Sequence, residues 1–177
     1  MKYLFLFLGI VLITSCKNKQ EVVKEIERKL PTYDVIVDVI IPSDEELILL
    51  YKNGPGEFVD SKTVWLGVKG SEASQTLVFS LPEGVMPTDF RLDIGRNEYK
   101  GLKSLEIKKI SLRYENRRLD IRQEDVNKYF QINKYIGFDQ STKKYSFSKG
   151  QDGSYDPYFL ASPLLYSDIK KIAGYTF

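Results

Sequence analysis

One stretch limits the possible folds more than any other, residues 90–114. Phe90, Leu92 and Ile94 alternate with Arg91 and Asp93, which is the pattern of a strand with one face buried and one wet. After a glycine-bounded loop, Gly95 to Gly101, Leu105 and Ile107 start a second alternation. Lys108-Lys109 breaks it, and Ile110, Leu112 and Tyr114 resume it one residue out of step. A one-residue slip inside a long strand predicts a β-bulge, which bends the strand as a sandwich or barrel requires.

The remainder of the chain agrees with that reading. Val35, Val37, Val39 and Ile41 predict an early strand that ends at Pro42-Ser43-Asp44. Its Asp34 and Asp38 share a face, and charges facing water on an edge strand explain them better than a catalytic carboxylate pair. Leu47 to Tyr51 is a second strand, closed by the turn Asn53-Gly54-Pro55-Gly56. Thr63 to Lys69 is a third, with Val64, Leu66 and Val68 on one face and Trp65 on the other, and Gln75 to Leu81 is a fourth. Beyond Tyr114, Leu119 to Ile121 reads as a hairpin return. Gln123 to Ile132 has the acidic first turn and the Val126, Tyr129, Phe130 face of a helix. Tyr135 to Phe138, Lys144 to Phe147 and Tyr155 to Leu160 complete the strands, and Leu164, Leu165, Ile169 and Ile172 mark a covering segment. The expected fold is mainly β, an antiparallel β-sandwich or jelly roll with one short α-helix, in a single domain over 33–177.

Two compositional facts narrow the chemistry. The chain has no histidine, and its one cysteine is Cys16. Histidine-dependent triads, Cys–His catalysis and ordinary zinc sites are thereby excluded, and we expect no cofactor and no enzyme. A net charge of +2 gives no field for nucleic acid. The basic group Arg113, Arg117, Arg118 and Arg122 reads as a solvated hairpin tip.

The start of the chain carries an address. Lys2 is followed by an apolar run from Tyr3 to Ile13, too short to span a bilayer, and then by small residues, the order of a secretory signal. Ile13-Thr14-Ser15-Cys16 resembles the lipobox of bacterial lipoproteins. That resemblance implies cleavage after residue 15 and acylation (palmitate among the acyl groups) of Cys16. The tether is then 16–32, charged and partly helical. With Lys17, Asn18 and Lys19 next, it favours the outer membrane and its periplasmic face.

A second resemblance covers roughly residues 35–160. An apolar strand ending at Pro82, Arg91-Leu-Asp-Ile-Gly95 with Asn97, the alternating strand Ile107 to Leu112, and Tyr155-Asp-Pro157 are together similar to galactose-binding-like β-sandwiches, scaffolds of the carbohydrate-binding-module type. The resemblance implies a fold more than a ligand. Sugar binding needs flat aromatic platforms and planar polar side chains, and Tyr51, Trp65, Arg96, Asn97 and Tyr99 are the candidates. Asp93, Asn97 and Glu98 could supply oxygens to calcium. The expected role is a lipid-anchored, non-catalytic envelope module for a saccharide; the alternative is an adaptor that binds an envelope protein. Cys16→Ala should release the protein from the membrane fraction on cell fractionation, and unchanged fractionation contradicts the lipid anchor.

Overall fold

The computed structural model describes residues 30–95 and 101–174. The expected signal sequence, Cys16 and nearly all of the expected tether lie outside the described residues. Strict alternation builds the first strand, β1 (Tyr33–Ile41), whose Tyr33, Val35, Val37, Val39 and Ile41 all point inward. There follow β2 (Glu45–Lys52), β3 (Thr63–Val68), β4 (Ser71–Ser80), β5 (Asp89–Ile94), β6 (Ser104–Tyr114) and β7 (Arg117–Arg122). A 3-10 turn leads to α1 (Val126–Tyr129), then β8 (Phe130–Ile132), β9 (Ile136–Asp139), β10 (Lys144–Phe147), β11 (Tyr158–Ala161) and α2 (Pro163–Ala173).

The strands form two antiparallel sheets, a β-sandwich as the alternation predicts. One sheet has the order β4-β1-β6-β10-β9, with β7 also paired to β6; the other has the order β3-β2-β5-β11-β8. The apolar faces meet between them. Val37 and Ile110, and Val39 and Ile107, are cross-strand partners on one side; Leu49 and Leu92, and Tyr51 and Phe90, are partners on the other.

The predicted bulge is present in β6. Asp38 pairs with Lys109 while Val39 pairs with Ile107, so Lys108 is the extra residue. It is exposed, and the residues on both sides of it, Leu105 and Ile107 before and Ile110 and Leu112 after, face the core. The two arms of β6 serve different neighbours on the side away from β1. Lys109 to Tyr114 pair with β7, whereas Ser104 and Leu105 pair with β10.

Three expectations are corrected. First, β1 is not an edge strand but lies between β4 and β6. Asp34 is buried and accepts from Ser80 Oγ at 2.7 Å and from the Arg113 guanidinium at 2.7 Å. Asp38 is held by Thr76 Oγ1 at 2.7 Å and by Lys109 Nζ at 2.9 Å. These are cross-strand ties, and the sequence around β1 does not show on which side its neighbours sit. Second, the helix expected over Gln123–Ile132 is a 3-10 turn at Gln123–Asp125 and α-helical only for Val126–Tyr129. Phe130 joins β8 opposite Ala161, because pairing with β11 outweighs another turn of a helix too short to be stable alone. Third, the main helix is the C-terminal cover, so the fold has two helices, not one. Ser162 caps α2 through the Leu165 N–H, Pro163 occupies its first turn, and Gly174 ends it at φ 87°. Its buried Leu165 and Ile169 close one end of the sandwich, where α2 packs on strands of both sheets.

The basic group is neutralised in place. Arg113 pairs with Asp34, Arg117 with Glu115, Arg118 with Asp120, and Arg122 with Glu124 and Asp125.

Removing the bulge should remove the fold. Deleting Lys108 turns Leu105 and Ile107, each 2% exposed, to solvent. The expected loss is about 3–6 kcal/mol at roughly 1.5–3 kcal/mol per side chain, of the order of the whole stability of such a domain. Lys108→Ala should stay within about 0.5 kcal/mol of the parent in urea melts. A deletion variant as stable as the parent contradicts the register.

Candidate functional site: a cleft on the outer face of the second sheet

The alternation that fills the core also determines what the second sheet turns outward. Along β2, Leu47, Leu49 and Tyr51 face in, so Ile48 and Leu50 face out; along β5, Arg91 and Asp93 do the same. Register then sets these residues in rows across the strands. One row runs Trp65, Ile48, Asp93, Tyr158, and the next runs Thr63, Leu50, Arg91, Leu160. The first three residues of each row floor an open cleft of about 710 Å³, with Phe58, Asp60, Gly95 and Asp156 also in its lining; Tyr158 and Leu160 continue the rows beyond it.

Ile48 and Leu50 are outward-facing yet only 7% exposed, because neighbouring side chains shield them. Trp65, by contrast, is 46% exposed. Its indole is oriented all the same. The Nε1–H donates to Thr63 Oγ1 at 2.9 Å, and that hydroxyl donates to the Asp60 carbonyl at 3.0 Å.

Beside the apolar floor stands a planar charged network. The Arg91 guanidinium donates to Asp93 from Nε at 2.7 Å and from its terminal nitrogen at 2.8 Å, a bidentate fork, and also reaches Asp156 at 3.3 Å. The same guanidinium lies over the Tyr158 ring, 4.2 Å from its centroid. Burial pushes the Asp93 carboxyl above its ordinary value; bonding to Arg91 opposes the rise and the Asp156 charge adds to it. A carboxylate incompletely compensated for lost water gains from a new hydroxyl donor. The segment that carries Asp156 is tied to β5, where the Pro157 carbonyl accepts from the Ile94 N–H at 3.0 Å.

The cleft gathers some of the expected residues and not others. Trp65 forms its wall. Tyr51 does not reach it: at 6% exposed it packs inside the sandwich on the opposite face of β2, since the residue lies in phase with Leu47 and Leu49. Arg96, Asn97, Glu98 and Tyr99 lie outside the described residues; Gly95, at φ 80°, lines the cleft. Asp93 has both oxygens on Arg91, and the guanidinium charge beside it opposes a calcium ion there. Among the described residues no group of three or more acidic, histidine or cysteine side chains is placed to hold a metal.

Sequence reasoning missed Ile48, Leu50, Phe58, Asp60, Thr63, Arg91, Asp156 and Tyr158 as site residues. Two signals were present: an unbroken apolar run in β2, which leaves Ile48 and Leu50 on the wet face, and Asp156 ahead of Pro157. No family model matches the chain, and no curated protein sequence or solved structure matches it either.

Proposed function

We propose that this protein is a lipid-anchored, non-catalytic binding module of the bacterial cell envelope, and that it takes a saccharide in the cleft beside Trp65. The observation that carries the reading is the combination on one sheet face of an exposed, oriented indole, an apolar floor and a planar Arg91–Asp93–Asp156 network. A pyranose ring has an apolar face, which suits the indole and Ile48, and equatorial hydroxyls, which suit carboxylate and guanidinium groups. The lipobox supports an anchor at Cys16, and the residues that follow favour the periplasmic face of the outer membrane. Among the described residues no helix is long and apolar enough to cross a membrane. The galactose-binding-like pattern is in keeping with this role but rests on strand pattern alone.

Full-length protein in detergent, applied to a glycan array, should bind a restricted set of saccharides. Trp65→Ala should weaken that binding about tenfold or more, or 1.4 kcal/mol and upward, without lowering the melting temperature. An array without a signal, together with specific crosslinking to one envelope protein through this sheet face, would decide for the adaptor role instead.

A further inference from the structure

The cleft beside Trp65 is not alone on its face. A second depression, of about 260 Å³, abuts it on the side of β11 and includes Tyr158, Leu160 and Lys52 in its lining. The two share Phe58 and Arg91, so those side chains form a low ridge between two compartments of one groove. Trp65 and Tyr158 stand at opposite ends of the same cross-strand row, with Ile48 and Asp93 between them. That row crosses three strand spacings, about 14 Å at roughly 4.8 Å each. This is longer than a single pyranose ring.

Charge limits what can lie along the groove. The first compartment is lined by three carboxylates, Asp60, Asp93 and Asp156, against the one guanidinium of Arg91. In the second, Lys52 is already paired with Asp89 at 3.1 Å, and Glu57 adds a further negative charge. Both described cations of the groove are thus committed to carboxylates, and the remainder is negative. A uronate or sulfated chain would lose its hydration there and meet repulsion. Hydroxyl groups meet acceptors instead.

Resting on the saccharide reading of the same site, we infer that the groove takes a linear, uncharged oligosaccharide laid across the strands, with one sugar against Trp65 and a later one against Tyr158. Arg91 sits at the ridge as a positioning residue, held by Asp93 and Asp156 and stacked on Tyr158.

The test is a calorimetric titration of full-length protein with neutral ladders of one to six sugars (gluco-, manno-, xylo- and chito-oligosaccharides) and with oligogalacturonates of equal length. For the neutral series that binds, affinity should rise at least tenfold from the monosaccharide to the tetrasaccharide and then level off. Tyr158→Ala should abolish the gain with length, Tyr158→Phe should retain it, and Trp65→Ala should weaken every length. Neutral saccharide binding that is indifferent to length in the parent protein overturns the two-compartment inference and leaves the saccharide reading standing. Oligogalacturonates bound as tightly as the neutral series overturn the uncharged class. Failure of every ladder to bind overturns the saccharide reading, and this inference with it.

Discussion

The one extra residue in β6 is the constraint on which the rest of this sandwich depends. Without Lys108 out of register, the strand could bury Leu105 and Ile107 or Ile110 and Leu112, but not both pairs. With it, both arms contribute to the core, and β6 can pair along β1 while dividing its other side between β7 and β10. The chain enters β6 from β5, which lies in the middle of the opposite sheet. The segment that contains the bulge therefore joins the two layers, and its first half supplies Arg91 and Asp93 to the candidate site.

That site is a by-product of the same alternation. A strand buried on one face gives every second side chain to the other, and in β2 those side chains are Ile48 and Leu50 where charged residues would ordinarily stand. Apolar groups on an outward face cost solubility unless something covers them. Here Trp65, Phe58 and the Arg91 network crowd over them and leave a cleft. The rigid sheet fixes the spacing of the platforms, and the ion pairs fix the polar groups, so the surface is organised before any ligand arrives.

Much of the fold was legible because alternation is a local property. The strands around Val35, Leu47, Val64, Phe90, Leu105 and Tyr145 could be placed, and the phase slip at Lys108 could be read directly. What could not be read was pairing. Whether Asp34 faces water or Arg113, and whether Phe130 extends a helix or joins β11, depends on partners far along the chain. Of the site, the sequence marks Trp65, whose off-phase position between Val64 and Leu66 makes it outward-facing, and Asp93, though as an oxygen ligand for calcium and not as the partner of Arg91. Tyr51 stands beside a turn, but its phase with Leu49 turns it into the core. The alignment of Trp65, Asp93 and Tyr158 in one row is set by register across four strands, which no local pattern encodes.

Trp65 is the only tryptophan in the chain, so its fluorescence reports on the cleft and on nothing else. The most direct test of the account is acrylamide quenching of that emission, with and without a saturating saccharide whose binding has been established by calorimetry. A saccharide stacked on Trp65 should give a blue-shifted emission and a clear fall in quenching, as a sugar ring replaces water over the exposed indole. Bound saccharide with emission and quenching both unchanged would place the ligand elsewhere and contradict it.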